Sequence, residues 1–292
     1  MSRSKVIELS CQTFRCDIAP DIGGCVAGLW LDEIPVLRAT PRAELTSARQ
    51  SGCFPLVPFS NRVAQAHLIW NGSHYPLQTT AGDEPHAIHG VGWQRPWRVL
   101  DASAQLARLS YVHAPDESWP FAFEAEQTFQ LSANTLNLTL NLCNRSDTAA
   151  PVGLGWHPYF VKRPHSHLSF EANGRWEMDA GKLPTHRTLS KGLHTDCIAL
   201  DVDHCYDGWP GVVHLRDELL HTRITSNLNH LVVFTNDTRN FVAIEPVSHA
   251  NNAFNLMSAS ASTAQALGVC VLQAGESLSV AMRICVDMAS NS

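Results

Sequence analysis

The chain is 292 residues long and carries 21 Lys plus Arg against 27 Asp plus Glu, a formal charge of −6. Charged residues are only 16% and hydrophobic residues 45%, which excludes a disordered chain and a nucleic-acid binder with its basic stripe. The 15 His and 8 Trp suit a neutral polar ligand better than a phosphate.

The opening MSRSKVIELS lacks the apolar core of a secretory leader, and no run of 18 apolar residues predicts a membrane span. The nine cysteines include no C-x-x-C pair. They read as small buried hydrophobes in a reducing cytoplasm. Arg42 to Arg49 has helical propensity but a weak apolar stripe. Gly52 to Arg62 is an apolar run with Pro55 and Pro58 that ends in Ser-Asn-Arg. Proline withholds a ladder donor, so a rigid connector is predicted rather than a central strand. It would fix Asn61 and Arg62, unless it is merely a loop with a surface arginine.

Glu84 to Trp93 sets His86 and His89 three apart beside Gly90, Gly92 and an indole. Glycine lets a backbone approach a ligand closely. The alternatives are a satisfied loop histidine or an H-x-x-H zinc pair, but no third ligand stands at a suitable spacing, so no metal is expected. Strands are then predicted at 97–100, 107–112, 121–129 and 135–142. The last alternates polar and apolar for eight residues, burying one face of a sheet and wetting the other.

Gly153 to Phe160 places His157 among glycines and aromatics. Partial desolvation and a pKa near neutrality would suit proton transfer; a packed core histidine is the alternative. Asp201 to Trp209 is acidic, aromatic and loop-like. Strands follow at 212–215, 231–234 and 241–244. Glu245 then stands at the end of an apolar run, just before Pro246. Burial there would raise its pKa toward that of a working base; an ordinary strand-end glutamate would be solvated. Ala259 to Ala266 suits a turn or short helix, and strands close the chain at 269–272 and 278–285. With no βαβ alternation, phosphate loop or repeat, the prediction is one all-β domain over 1–292, with two packed antiparallel sheets.

In this order, FPLVPFSNR, IHGVGW, GWHPYF and EPVSH resemble the motifs of the aldose 1-epimerase (galactose mutarotase) family. The tail Gly275 to Leu278 is similar to that family's closing strand region. The resemblance implies a large antiparallel β-sandwich, the galactose mutarotase-like supersandwich, with few short helices. It implies a cofactor-free isomerase that interconverts the α and β anomers of a free neutral aldose. The partner is then a small sugar, with no nucleic acid or membrane, and the protein a monomer or homodimer.

Carried across position by position, the resemblance makes Glu245 the general base and His157 the general acid. Arg62 and His89 bind the sugar, Asp203 matches a hydroxyl-binding aspartate, and Asn61 and His86 are secondary contacts. Better-known members carry Asn where His86 stands and Gly where Val91 stands, departures that bear on sugar preference. Trp93, Trp156 and Tyr159 are candidate walls for the apolar faces of a sugar. Two other functions fit the same frame. A hexose-6-phosphate 1-epimerase-like enzyme would call for an arginine cluster, whereas the motif segments offer mainly Arg62 and Arg95. A silent carbohydrate-binding module would keep the walls and lose the acid–base pair.

Overall fold

The structure, a computed structural model, describes residues 6–79, 84–257 and 266–289. Antiparallel strands dominate it. One sheet of eleven strands runs in the order Ile7–Cys11, Phe14–Ala19, Cys25–Leu31, Ile34–Leu37, Gly155–Val161, Phe241–Val247, His230–Thr235, Val202–Asp207, Gly174–Met178, Pro184–Leu189, with Cys53–Leu56 joined to Gly155–Val161 and Cys25–Leu31. A second sheet of nine strands runs from Arg98–Ala102 through Leu106–His113, Phe123–Ser132, Thr135–Asn144 and Ser277–Met288 to Leu220–Ser226, Val212–Arg216, His167–Phe170 and Leu193–Asp196.

The sheets share one apolar core. It takes Phe14, Leu29, Leu37, Phe160 and Ile244 from the first sheet and Leu109, Phe129, Leu140 and Ile284 from the second. This is the expected β-sandwich. The predicted strands at 107–112, 135–142, 212–215 and 231–234 all lie inside observed ones. Alternation explains the second sheet: along Thr135–Asn144 the residues from Leu136 onward are buried at every other position, as a period of two requires.

The first sheet differs because both its faces are covered. Residues of opposite parity on the same strands fall into two apolar clusters. Phe160, Val233 and Ile244 enter the inter-sheet core, while Tyr159, Val232, Ala243 and Val247 join a second cluster with Phe54 and Trp93. That outer face is roofed by the loops around Asn61 and His89, and it carries the candidate site.

Helix is sparse. Arg42 to Arg49 is not a helix. Its end enters a single 3₁₀ turn at Ala48–Gln50, capped by Ser47 and Gln50, because the segment has no apolar face wide enough to pack a longer one. One short α-helix, Ala253–Leu256, precedes the expected turn at Ala259 to Ala266, nearly all of which lies outside the described residues. Cys53–Leu56 is also corrected: it is a strand, with Phe54 opposite His157 and Pro55 opposite Trp156. It stays short, since Pro55 and Pro58 leave few ladder donors. No helix among the described residues is long and apolar enough to cross a membrane.

Candidate active site

The outer face of the eleven-stranded sheet holds a cavity of about 480 Å³. Strand pairing builds its floor. Gly155 lies opposite Val247 and Tyr159 opposite Ala243, a register that sets His157 across from Glu245. Glu245 in turn pairs with Val232, and Asp203 with Phe234. Phe54, His157, Tyr159, Asp203, Val232, Phe234, Phe241 and Glu245 therefore all project from one face into one cavity.

His157 Nε2 is 3.2 Å from Glu245 Oε1, and both side chains are buried. Burial pushes the His157 imidazole down to about 3, with Arg38 and Arg49 adding to the effect. The expectation of a partly desolvated imidazole titrating near neutrality thus fails: it is buried at the cavity wall, stacked 4.8 Å from the Phe54 ring. Burial also holds the Glu245 carboxyl well above its ordinary value; Asp203 reinforces this and Arg62 opposes it. Low dielectric disfavours charge on either group. Both shifts thus favour the uncharged forms, a carboxylic acid beside a neutral imidazole, with one titratable proton between the two groups. Glu245 Oε2 and His157 Nδ1 have no hydrogen-bond partner among the described residues.

The roof comes from two loops locked by reciprocal bonds. The His89 N–H donates to the Asn61 carbonyl at 2.8 Å, and the Asn61 N–H donates to His89 Nδ1 at 3.0 Å. Since Nδ1 accepts, the neutral ring carries its proton on Nε2. Burial first, then His157, Arg49 and Arg62, hold the His89 pKa well below the usual value. Both residues adopt positive φ, 52° at Asn61 and 63° at His89, conformations uncommon outside glycine. Gly90 is required: at φ 68° its backbone passes so close that a Cβ would lie 2.2 Å from the Val57 carbonyl oxygen.

Arg62 is fixed by its neighbours. It pairs with Ile88 in a two-stranded ribbon. Its guanidinium donates to both Glu84 oxygens, at 3.4 and 3.1 Å, and to Asn61 Oδ1 at 3.3 Å. Asp203 forms an ion pair with Lys182 Nζ at 3.2 Å.

Six of the seven residues singled out from sequence meet at this cavity: His157, Glu245, Arg62, His89, Asp203 and Asn61. His86 does not line it. Its buried ring lies behind Glu84, with Nδ1 accepting from the Gln65 N–H at 2.9 Å and Nε2 4.0 Å from Glu84 Oε1. Of the three candidate walls only Tyr159 lines the cavity. Trp156 has the opposite parity and packs in the inter-sheet core, and Trp93 stands behind Phe54, ring centroids 5.5 Å apart.

Sequence reasoning missed two groups. One is His249, part of the EPVSH segment but given no role. Its buried ring accepts from the Ser60 N–H at 3.1 Å and donates from Nδ1 to the Ala250 carbonyl at 2.7 Å. It thereby pins the residue just before Asn61 and Arg62. The other group is Arg38, Arg49 and Arg239, which line the cavity with Arg62. Arg95 is elsewhere, paired with Asp116. The count of cations made from the motifs was therefore too low, because these three arginines lie outside every motif.

The sequence profile described as aldose 1-epimerase matches residues 5–285. The chain belongs to the aldose 1-epimerase family. Two uncharacterised proteins of Escherichia coli K12 are similar in sequence. YphB is 36% identical over 171 residues, which is 59% of this chain and 57% of YphB. YihR is 26% identical over 217 residues, 68% of this chain and 70% of YihR. In three dimensions the chain resembles protein b2544 of Escherichia coli K12, a candidate aldose 1-epimerase, with a TM-score of 0.87 and 26% identity over 98% of this chain and 99% of that one. A galactose mutarotase-like protein from Clostridium acetobutylicum shares the fold, with a TM-score of 0.85 and 16% identity over 98% of this chain and 96% of that one.

Proposed function

We propose that this protein is an aldose 1-epimerase that interconverts the α and β anomers of a free aldose by opening and reclosing its pyranose ring. One observation carries the reading: His157 Nε2 and Glu245 Oε1 lie 3.2 Å apart at the cavity wall. The anomeric oxygen and the ring oxygen are both bonded to C1. Two side chains so close together can address both at once.

When the sugar binds, the proton of the pair passes from Glu245 to His157, and in the opening step the resulting Glu245 carboxylate accepts the proton of the anomeric hydroxyl. The C1–O bond of the ring breaks as the carbonyl forms, and the His157 imidazolium delivers a proton to the ring oxygen. Rotation about C1–C2 then exposes the other face of the aldehyde. In closure His157 takes the proton back and Glu245 returns one to the new anomeric hydroxyl. The pair starts and ends with one proton, so the cycle needs no net proton from solvent.

The Nε2–H of His89, the Arg62 guanidinium and the Asp203 carboxylate supply two donors and an acceptor for sugar hydroxyls. Tyr159, Phe54 and Phe241 offer apolar surface to the CH faces. His249 and Glu84 act as positioning residues, one through Ser60 and the other through Arg62.

Polarimetry tests the reading. With no cofactor added, the protein should speed the decay of optical rotation of freshly dissolved α-D-glucose or α-D-galactose above the spontaneous rate. Unchanged decay across a panel of neutral and charged aldoses would overturn it.

A further inference from the structure

Three guanidinium groups at this cavity are left over after its charges are paired. Of the four lining arginines, Arg62 is matched by Glu84. Of the remaining lining carboxylates, Asp203 is matched by Lys182, and Glu245 is buried against His157. Arg38, Arg49 and Arg239 have no carboxylate partner among the described residues. Their positions are set in other ways. Arg38 is anchored through Nε and Nη2 to the Ser51 carbonyl at 2.9 and 2.7 Å, and through Nη2 to the Arg49 carbonyl. Its guanidinium lies 3.8 Å over the Tyr159 ring. Arg239 lies 5.8 Å over Phe241, beside Arg38 at 5.4 Å from the same ring. Arg49 lies 5.1 Å over Trp93.

Arg38 and Arg49 lie on the His157 side of the catalytic pair, while Arg239 also lies 5.8 Å over Phe234, the strand partner of Asp203. Tyr159, which carries Arg38, is in ring contact with His157 at 4.4 Å. Trp93, which carries Arg49, backs Phe54, the ring stacked on His157. Among the charges that act on the two groups, Arg38 and Arg49 act on His157, whereas Asp203 and Arg62 act on Glu245.

Sugar chemistry gives that side a meaning. If His157 protonates the ring oxygen, it stands beside both carbons bonded to that oxygen, C1 and C5. The exocyclic C6 hangs from C5. The cations on the His157 side, Arg38 and Arg49, therefore meet whatever C6 carries.

We propose that the preferred substrate is an aldose with an anionic group at C6, a carboxylate, phosphate or sulfate, held by the unpaired guanidinium groups of Arg38, Arg49 and Arg239 that line the cavity. This rests on the anomer-exchange reading above and replaces the neutral sugar expected from the motifs. Guanidinium groups bind such oxyanions through paired N–H donors. A neutral hexose would leave three cations at the cavity without counter-charge.

Anomer exchange is measured by magnetisation-transfer NMR on D-glucose, D-galactose, D-glucuronate, D-glucose 6-phosphate and D-glucose 6-sulfate, with binding of each followed by calorimetry. At least one anionic sugar should have a kcat/KM about 10-fold or more above glucose, the size expected of one charge-assisted hydrogen bond. The double variant Arg49→Gln/Arg239→Gln should lower the anionic-to-neutral ratio of kcat/KM about 10- to 100-fold, chiefly through KM. Added salt should depress the anionic substrate more than the neutral one. Arg38→Lys, which keeps the charge and loses the fork, gives a second reading in case the double variant misfolds: the same ratio should fall.

Neutral sugars turned over as well as every anion, or a ratio unmoved in the variants, would overturn the anionic preference and leave the epimerase reading standing. Anion binding that the variants weaken, with no exchange of any sugar, would keep the seat and sink the epimerase reading. Neither binding nor exchange would sink both.

Discussion

In the nine-stranded sheet, the neighbouring strands Thr135–Asn144 and Ser277–Met288 bury nearly every second residue and leave the rest partly or fully in water. In the eleven-stranded sheet, all seven residues of Phe241–Val247 are buried, and six of seven in Gly155–Val161. The first arrangement gives polar side chains water on one face at no cost. The second does not: each polar group on the roofed face must find a partner or stay unsatisfied, as Glu245 Oε2 and His157 Nδ1 do. Burying such groups costs free energy, which the apolar core elsewhere offsets. The dry face is where a carboxyl and an imidazole can be tuned away from their ordinary behaviour.

The sharpest test of this contrast separates rate from stability. Glu245→Gln and His157→Asn should each lower kcat/KM about 10²- to 10⁴-fold, the usual contribution of a positioned acid or base, and leave the circular-dichroism spectrum unchanged. Near-normal rates in either variant would remove the pair from the mechanism. Glu245→Gln should also be more stable than the parent at neutral pH. The sign follows from burial. The folded carboxyl binds its proton more tightly than the unfolded one. Its stabilising contribution is therefore complete below the unfolded value of about 4.5 and is lost as pH rises through the folded value. Glutamine has no such loss, so the gap in melting temperature should widen from pH 5 to pH 8 (about half a unit to several units above that value).

On the other sheet the outcome should invert. Leu140 is fully buried between Gln127 and Val280 of its neighbouring strands. Leu140→Ala should cost about 2–5 kcal/mol in urea unfolding, the range for a core leucine, with kcat/KM per folded molecule unchanged. A large rate loss would mean that the sheets are coupled rather than divided into scaffold and site.

The same division governs what could be read without coordinates. The alternating strand at 135–142 was legible because one face is wet and the period shows. Gly155–Val161 was legible only as a motif, since a strand buried on both faces has no period and its Gly155 and Pro158 argue against a strand. Cys53–Leu56 was predicted as a connector for the same reason. Nearer the start of the chain, Ile7–Cys11 and Phe14–Ala19 do alternate in sequence and in burial, whereas Cys25–Leu31 is buried at six of its seven residues and shows no period. Motif order brought His157, Glu245, Arg62, His89, Asp203 and Asn61 to one cavity, whereas His86 fell just behind it. Arg38, Arg49 and Arg239 could not be foreseen. They sit after a strand, in a 3₁₀ turn and in a loop, and isolated arginines are ordinary at surfaces. Only the pairing of Ile34–Leu37 with Gly155–Val161, and of that strand with Phe241–Val247, gathers them.

The smallest expected effect is an absence of titration, and it bears on whether the roofed face is dry. A solvated imidazole serving as the acid would lose its proton around pH 6.5, and kcat/KM would then fall about tenfold for each unit above that. His157 is held down to about 3 and Glu245 well above its ordinary value by the same burial. Both shifts oppose titration of either group near neutrality, and a coupled pair titrates as a unit. With a neutral aldose, whose own charge does not change, kcat/KM should therefore be flat from about pH 5.5 to 7.5, a window centred on the free imidazole value. A fall across that window would show His157 titrating as if in water. The face would then be wet in solution, and the contrast between the two sheets would lose its chemical consequence even if both folded as described.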